Sequence, residues 1–393
     1  MAMTGDVLGF TAGTAAAGVK DGKPTRTDVA LIASDRTCTA AGVFTTNQVI
    51  AAPCVVTRRH LEQGRLRAIV VNSGNANACT GEQGERHAVM MARAAAQRIG
   101  CDPYEVAVAS TGVIGVPLPV ERIMKAVKGI GLRPGEWGDV AKAIMTTDTK
   151  PKSISVEVPL SSGTVHLRGV AKGAGMIHPN MATMLAFVMT DADVEVDALR
   201  HFTRHAAGRT FNAISVDGDT STNDTLLVIA NGASGVKPRG DELAQFANAL
   251  EGVCETLAKE IVADGEGVTK VFEVTVRGAA SAEDARRAAR TITTSNLVKT
   301  AIHGSDPNWG RILAAAGRSG AKVDQSCASV RIGEVVVFAS GTPLPLDRDA
   351  VRRVFDRAEV PIEVDLGLGT DAARAWGTDL SAEYVRINAE YTT

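Results

Sequence analysis

The sequence predicts an α+β fold in which helices and β-hairpins pack in layers. Strand-like and helix-like segments alternate along all 393 residues, and short turns join several of the strands into hairpins. Hydrophobic residues make up 45% of the chain, enough for a sizeable core, whereas aromatic residues make up only 4%. Aliphatic side chains and alanines must therefore fill that core. Hairpins mixed with helices favour this layered architecture over a doubly wound parallel sheet.

A buried strand and a helix are predicted in the first hundred residues. Leu66–Val71 is a short aliphatic run that ends at Asn72-Ser73-Gly74, which indicates a strand leading into a loop. Apolar residues then recur at helical spacing between Ala88 and Ile99, and Gly100 is placed to end that helix.

A hairpin is predicted next. The alternating run Ser153–Val158 and the run Thr164–Ala171 flank a turn at Ser161-Ser162-Gly163, and the second strand leads directly into Lys172.

The second half of the chain begins with the strongest helical pattern. Apolar residues repeat at threes and fours from Leu243 to Ile261, and the helix should end at Asp264-Gly265. Val271–Val276 alternates as a strand, and Val330–Phe338 reads as a second hairpin. Gly367–Ala372 resembles a dinucleotide-binding turn, but too little chain follows to complete a βαβ unit, so we interpret it as an ordinary turn.

Composition and charge argue against several classes of protein. The net charge of −2 offers no basic footprint for nucleic acid, and no run of about 18 apolar residues predicts a membrane span. The first residues lack a basic start followed by an apolar signal core, so we expect a soluble cytoplasmic protein. The six cysteines form no CxxC pair, which argues against a zinc site or a disulfide scaffold and predicts that most are buried. No metal or nucleotide-binding motif is present.

The stretch KGAGMIHPNMATMLAF, Lys172 to Phe187, places the hydroxyl of Thr183 where a glycine-rich approach meets an apolar run. The simplest interpretation is a buried strand with one hydrogen-bonded hydroxyl. The alternative is a nucleophile, which needs a base. His178 is nearby, but Pro179 follows it, and a structural role for the histidine is favoured over catalysis.

A threonine can also use its own α-amino group as the base, once the preceding peptide bond is cut. An α-amino group titrates at about 7.7 to 8.0, close to the pH at which a general base works best. Thr183 would first attack the carbonyl of Ala182, whose small side chain permits close approach. Gly173 and Gly175 permit unusual backbone angles in the same segment.

The same stretch resembles the cleavage segment of the ornithine acetyltransferase family, the bifunctional glutamate N-acetyltransferases of arginine biosynthesis. Other segments resemble the family in the same order, so that the likeness spans nearly the whole chain. They are NSGNANACTG (72–81), STGVIG (110–115), MTTDT (145–149), FNAISVDGDTSTND (211–224), DGEG (264–267), HGSDPNWGR (303–311) and NAEYTT (388–393). Val268 departs from the alanine that more often follows DGEG, which is a small change of core type.

The resemblance implies a self-cleaving enzyme with a two-lobed α+β sandwich fold. Cleavage between Ala182 and Thr183 would give an α chain, 1–182, and a β chain, 183–393, which stay associated as paired αβ units. Thr183 would carry the acetyl group from N2-acetyl-L-ornithine to L-glutamate by a ping-pong mechanism. The family uses no metal, and some of its members also accept acetyl-CoA as the acetyl donor.

The resemblance also implies roles for individual residues. Thr111 and Gly112 match the oxyanion hole, which stabilises charge on the carbonyl oxygen during acyl transfer. The positions that match substrate-binding residues are Thr146, Lys172, Thr183, Glu266, Asn388 and Thr393. Thr147 is a close rival of Thr146.

Two of these binding positions carry charge. Lys172 can pair with a substrate α-carboxylate and would lower the pKa of the Thr183 amine by repulsion. We expect Glu266 to meet the side-chain ammonium of ornithine.

Three other functions remain open from sequence. An N-terminal-nucleophile aminopeptidase or amidase would use the same cleavage but pass the acyl group to water. A non-catalytic binding protein would have lost its site, although Thr183, Thr111, Gly112 and Lys172 are all intact. A paralogue in secondary metabolism would have a shifted amino-acid preference.

Overall fold

The computed structural model describes residues 6–178, 184–345 and 347–390. The strands in these ranges are β1 (Phe10–Ala15), β2 (Val29–Phe44), β3 (Arg65–Asn75), β4 (Val106–Val113), β5 (Lys152–Leu160), β6 (Gly163–Lys172), β7 (Leu185–Thr190), β8 (Ile214–Ser215), β9 (Thr225–Ala230), β10 (Val271–Ala279), β11 (Ser329–Ile332), β12 (Val335–Ala339), β13 (Thr342–Pro343), β14 (Glu359–Asp365) and β15 (Asp371–Thr378). The α-helices are α1 (Ala52–His60), α2 (Gly81–Ile99), α3 (Val120–Gly129), α4 (Trp137–Ala143), α5 (Val196–Arg209), α6 (Asp241–Ala263), α7 (Ala282–Thr293), α8 (Asn296–His303), α9 (Trp309–Gly317), α10 (Arg348–Phe355) and α11 (Ala382–Glu390).

Two mixed sheets organise these elements. The N-terminal sheet has the strand order β4-β3-β2-β9-β7-β6-β5, with β1 paired to β2, and the C-terminal sheet has the order β13-β12-β11-β14-β10-β15-β8. A register shift between Ala33 and Cys38 divides the long strand β2. Its first part pairs with β1 and β3, and its last residues pair with β9. The layered α+β prediction is confirmed.

Strand β7 lies in the middle of the N-terminal sheet. It pairs antiparallel with β6 and parallel with β9, and all six of its residues are buried. Ala186 and Val188 belong to the core that includes α5 and α6, whereas Leu185, Phe187 and Met189 belong to the core on the opposite face. Because both faces are covered, the strand shows no polar alternation.

Most predicted elements of the N-terminal half occur as expected. The helix predicted before Gly100 is α2, and Gly100 ends it with a left-handed backbone at φ 74°. The predicted hairpin is β5–β6, with Ser161-Ser162 between the strands. The predicted loop at Asn72-Ser73-Gly74 is wrong, because β3 continues to Asn75 and pairs with the end of β4.

The C-terminal sheet is built around β10, which pairs parallel with β14 and antiparallel with β15. The predicted long helix is α6, which ends at Ala263 with Asp264 as its C-cap, in agreement with the predicted end at Asp264-Gly265. The predicted hairpin is β11–β12, and Gly367–Ala372 connects β14 to β15 as a turn. Alanines on α7 and α9 fill much of this core, which compensates for the shortage of aromatic residues.

Lys299 of α8 ties together two neighbouring segments of the C-terminal sheet. Its buried ammonium donates to the carbonyl oxygens of Val216 at 2.7 Å and of Thr378 at 2.5 Å. Burial lowers the pKa of Lys299 to about 8. These bonds attach the segment after β8 to the end of β15, next to the site described below.

The cysteines agree only partly with their prediction. Cys38, Cys54 and Cys254 are buried, Cys101 is half-buried, and Cys79 and Cys327 are exposed. Within the ranges that the structure covers, no helix is long and apolar enough to cross a membrane.

Candidate active site

The buried ammonium of Lys172 brings three of the predicted site residues together. Lys172 ends β6, and only 2% of its side chain is exposed. Its Nζ donates to Oγ1 of Thr146 at 2.8 Å and to Oγ1 of Thr111 at 3.3 Å. Thr111 lies on β4, and Thr146 follows α4, so that the sheet and the loop converge on one cation.

Asp148 supplies the negative charge beside this cation. Its Oδ2 lies 3.9 Å from Nζ of Lys172, and its Oδ1 accepts hydrogen bonds from Nζ of Lys152 at 2.8 Å and from the Gly173 amide at 2.6 Å. The Thr146 amide donates to Oδ2 at 3.0 Å. Burial opposes ionisation of Asp148, but the ammonium groups of Lys172 and Lys152 outweigh it and hold its pKa at about 2.

The same charge network extends to the end of α6. Nζ of Lys152 also donates to Asp264 at 2.6 Å, and Asp264 accepts from the amides of Thr149 and Lys150. Desolvation lowers the pKa of Lys172, and the charge of Asp148 counteracts part of that shift. The alternating charges of Lys172, Asp148, Lys152 and Asp264 therefore hold the loop between α4 and β5, which contains Thr146, against β6 and the start of the DGEG segment.

The predicted oxyanion hole, Thr111 and Gly112 (called the oxyanion turn below), lies where the end of β4 closely contacts the end of β3. Gly74 of β3 is paired with Gly112 of β4, and Gly112 has φ +133°. A Cβ on Gly112 would lie 2.3 Å from the carbonyl carbon of Gly74, so only glycine fits there. Asn223 supports the turn, because its side-chain amide donates to the carbonyl oxygens of Ala76 at 2.7 Å and Ser110 at 2.9 Å.

Glu266 and Asn388 meet beside the segment that follows Lys172. Nδ2 of Asn388 donates to Oε2 of Glu266 at 3.0 Å. A Cβ on Gly175 would lie 2.4 Å from Cδ of Glu266, so the carboxylate rests directly on the segment that follows Lys172. The negative charge of Glu266 also contributes to the pKa of Lys172. The C-terminal helix α11 thus folds back onto the site, as a function for Asn388 requires.

Asp217 binds the backbone of the segment that precedes the predicted cleavage point. Its carboxylate accepts from the amides of Met176 at 2.6 Å and Ile177 at 2.9 Å. Burial raises the pKa of Asp217 to about 6. His178 lies 3.5 Å from Oγ of Ser215, and burial together with the charge of Arg290 lowers its pKa to about 4. A neutral, half-buried His178 fits the structural role favoured from sequence.

Three predicted residues lie outside the described residues: Ala182, Thr183 and Thr393. The residue that follows the predicted nucleophile is described, however. The amide of Met184 donates to Oδ1 of Asp224 at 3.0 Å, and desolvation raises the pKa of this fully buried carboxyl well above its usual range.

The structure adds the carboxylates Asp148, Asp217 and Asp224 to the residues singled out from sequence. Each belongs to one of the two motifs MTTDT and FNAISVDGDTSTND, whose acidic residues are not part of the predicted site. An acidic residue inside a short motif that borders a buried strand is the signal that would have indicated them.

A cavity of about 210 Å³ opens between the oxyanion turn and Thr146. Its lining residues are Lys20, Asp21, Lys23, Thr25, Arg26, Asp28, Gly74, Gly112 and Thr146. Two predicted site residues therefore face one small space, and the remaining wall is a polar loop near the N-terminus.

This site suits acyl transfer. A glycine turn that exposes backbone donors can stabilise an oxyanion, and hydroxyl groups that accept hydrogen bonds from an ammonium keep their own protons for a substrate. Fold and site together define the class of the protein, a layered α+β enzyme that transfers an acyl group.

Comparison with known proteins makes the assignment specific. The ArgJ family model matches residues 11–393. A protein of Symbiobacterium thermophilum is 51% identical over 98% of this chain and 97% of its own, and one of Dehalococcoides mccartyi is 48% identical over 98% and 96%. Both bear the name arginine biosynthesis bifunctional protein ArgJ. The chain belongs to the ArgJ family, and the family predicted from the motifs is confirmed.

A solved structure shows the same relationship. The crystal structure of the arginine biosynthesis bifunctional protein argJ from Bacillus halodurans is similar to this fold with a TM-score of 0.51 and 43% identity. The match covers 52% of this chain and 98% of the solved chain, so the solved chain is about half as long as this one.

Proposed function

We propose that the protein is a glutamate N-acetyltransferase of arginine biosynthesis, which moves the acetyl group of N2-acetyl-L-ornithine to L-glutamate. The observation that carries the proposal is the meeting of Thr111, Thr146 and Lys172 at the oxyanion turn, in a chain of the ArgJ family. The names of the relatives assign them to arginine biosynthesis.

Self-cleavage, which occurs once in each chain, precedes the reaction cycle. Oγ of Thr183 attacks the carbonyl carbon of Ala182, the peptide nitrogen leaves as the α-amine of Thr183, and water hydrolyses the resulting ester. The products are a carboxylate on Ala182 and a threonine with a free amine, which then serves as the base for its own hydroxyl.

The cut would fall between two strands of one sheet. Strand β6 precedes it and β7 follows it, and these strands pair from Leu167↔Thr190 to Lys172↔Leu185. Strand β9, also after the cut, pairs with β2. These contacts support an α chain (1–182) and a β chain (183–393) that remain associated, and the half-length chain of the Bacillus halodurans structure agrees with such a division. Paired αβ units in the cytoplasm complete the proposal.

Acetyl transfer then takes place in two half-reactions. In the first, Oγ of Thr183 attacks the acetyl carbonyl carbon of N2-acetyl-L-ornithine, and the hydroxyl proton passes through the α-amine to the departing amine of ornithine. In the second, the amine of L-glutamate attacks the acetyl ester, and the proton returns to Thr183. Donors at Thr111 and Gly112 stabilise the oxyanion in both.

Lys172 organises the donors rather than reacting. Because the hydroxyl groups of Thr111 and Thr146 both accept from its ammonium, each is free to donate its proton outward to a substrate oxygen. Thr111 would donate to the oxyanion, and Thr146 to the substrate α-carboxylate. This contact favours Thr146 over Thr147 as the binding residue. Glu266 would bind the side-chain ammonium of ornithine, and Asn388 would orient the carboxylate of Glu266.

The proposal is tested with wild-type protein and Thr183→Ala. Intact mass spectrometry should find two chains, of 182 and 393 − 182 = 211 residues, in the wild type and one uncut chain in the variant. Incubation of the wild type with N2-acetyl-L-ornithine should release ornithine in multiple turnovers only when L-glutamate is present. A full-length active wild type would contradict the mechanism, and equal turnover without glutamate would indicate the hydrolase instead.

Acetyl-CoA is a second acetyl donor in this proposal. The word bifunctional in the names of the relatives supports it. Formation of N-acetylglutamate from acetyl-CoA and L-glutamate, with no acetylornithine present, measures this activity. Neither reaction needs a metal or a bound cofactor, so a chelator should leave both rates unchanged.

A further inference from the structure

The loop Lys20–Arg26 places positive charge at the mouth of the active-site cavity. Lys20, Lys23 and Arg26 line the cavity together with Gly112 and Thr146, and all three are exposed. Asp21 and Asp28 also line it, so the wall carries a small net positive charge. No step of the acetyl transfer described above uses this loop.

The two carboxylates of the wall are engaged with the backbone of the loop. Oδ1 and Oδ2 of buried Asp28 accept from the amides of Ala17 at 2.6 Å and Val19 at 2.7 Å. Oδ1 of Asp21 accepts from the amide of Lys23 at 2.9 Å. Both acidic groups therefore hold the backbone of the loop in shape, and the side chains of Lys23 and Arg26 are exposed at the cavity.

The loop is also packed on the oxyanion turn. A Cβ on Gly74 would lie 3.1 Å from Cβ of Lys20 and 3.2 Å from its backbone nitrogen. Gly74 is in turn the strand partner of Gly112. The loop, Gly74 and Gly112 are thus in consecutive contact, which places the backbone of the loop against the predicted oxyanion hole.

The two amino acids of the reaction present opposite charges at nearly the same place. The side chain of ornithine ends in an ammonium and that of glutamate in a carboxylate, at similar distances from the α-carbon. Glu266 suits the ammonium but repels the carboxylate. A second, cationic wall is needed for the acceptor. The cavity of about 210 Å³ is smaller than the roughly 300 to 1,000 Å³ of larger ligand sites, which favours an amino-acid side chain over a nucleotide.

We propose that Lys23 and Arg26 bind the side-chain carboxylate of L-glutamate and so select an acidic amino acid as the acetyl acceptor. This inference rests on the acetyl transfer proposed above and assigns the acceptor side of the same site. The cleft is then two-sided: Glu266 recognises the donor, and the basic loop recognises the acceptor.

The test separates the two half-reactions in the double variant Lys23→Gln/Arg26→Gln. The acetyl-enzyme is formed with N2-acetyl-L-ornithine, freed of small molecules, and discharged with increasing L-glutamate or, separately, L-glutamine. We expect the second-order rate constant for glutamate to fall about ten-fold, the size of a lost charged hydrogen bond, while that for glutamine is unchanged. The rate of enzyme acetylation should stay within two-fold of wild type, which also verifies the fold.

The matched control is Arg318→Gln/Lys322→Gln, which removes the same charges from an exposed region after α9 and should change neither half-reaction. Equal loss of acetylation and discharge would overturn the inference, as would an unchanged preference for glutamate over glutamine. A loss confined to acetylation by acetyl-CoA would overturn it in favour of phosphate binding. Failure of wild-type protein to form an acetyl-enzyme would overturn the proposed function itself, and this inference with it.

Discussion

The charged residues around Lys172 form two groups that differ in burial. The first group is buried and consists of Asp148, Lys152 and Asp264. These side chains bond to one another and to backbone amides at distances of up to 3.3 Å. By contrast, Glu266 is half-exposed, and the charged residues of the Lys20–Arg26 loop are exposed. The difference indicates that the buried network holds Lys172, and through it Thr111 and Thr146, in place, whereas the exposed charges are accessible from solvent.

The largest effect is expected at Asp148. Asp148→Asn removes one charge from a buried network and leaves the ammonium of Lys172 without its nearest carboxylate. We expect a loss of about 3 to 5 kcal/mol in the free energy of unfolding, typical of a buried pair that loses one partner. Urea denaturation in the Thr183→Ala background keeps both proteins as single chains. Asp139→Asn, which breaks an exposed pair with Lys142, is the control and should cost less than about 1 kcal/mol.

The same residue sets a pH dependence. The pKa of Asp148 in the folded protein is about 2, below its ordinary value of 3.8. A carboxyl with a lowered pKa contributes stability that is complete above the unfolded value and is lost as the pH falls through the folded value. The stability difference between Thr183→Ala and its Asp148→Asn derivative should therefore be constant above about pH 4 and shrink between about pH 4 and 2. A constant difference down to pH 2 would contradict the assigned charge.

The oxyanion turn should show the next largest effect. Thr111→Val keeps the side-chain volume but removes the hydroxyl that accepts from Lys172 and is free to donate. Loss of an oxyanion donor typically lowers kcat by about 100-fold or more, and both half-reactions should slow together because both pass through an oxyanion. Chemical-quench experiments measure the two rates: the amount of acetyl-enzyme reports the first half-reaction, and the amount of N-acetylglutamate reports the second. A loss in only one of them would argue that Thr111 binds substrate instead.

Substitution of Glu266 should affect the reaction of the donor more than that of the acceptor. Glu266→Gln keeps the shape of the side chain but removes its charge, so the second-order rate constant for N2-acetyl-L-ornithine should fall roughly ten-fold. Discharge by L-glutamate should change little or improve, since a repulsive charge is removed. Glu82→Gln on the exposed face of α2 is the control. Equal losses with both substrates would exclude Glu266 as the group that recognises the ornithine ammonium.

Sequence reasoning predicted the frame of this molecule better than its charge network. Hydrophobic periodicity located α2, α6 and the β5–β6 hairpin, because amphipathic patterns record which face is buried. It placed the end of β3 too early, since Asn72-Ser73-Gly74 is polar and turn-like but is paired with β4. The pairing depends on the neighbouring strand, which local composition does not reveal.

The site shows the same limit. Motif resemblance indicated Thr111, Thr146 and Lys172, and these residues meet. Asp148 was passed over inside MTTDT, because its importance comes from Lys152 and Lys172, which reach it only through the hairpin. The basic loop near Lys23 carried no local signal either. Its significance depends on a cavity formed with residues that lie far along the chain.

The smallest effect is expected at Asn388, near the C-terminus. Asn388→Ala removes the hydrogen bond of 3.0 Å to Glu266, an exposed contact worth about 0.5 to 1.5 kcal/mol, so the rate constant for N2-acetyl-L-ornithine should fall roughly two- to ten-fold. If Asn388 acts by orienting Glu266, the double variant Asn388→Ala/Glu266→Gln should be little worse than Glu266→Gln alone, because the orientation no longer matters once the charge is gone. Independent, multiplying losses would mean that Asn388 contacts the substrate itself. The double variant therefore distinguishes two arrangements. In one, Glu266 alone binds the ammonium and Asn388 orients it; in the other, Glu266 and Asn388 each bind the substrate separately.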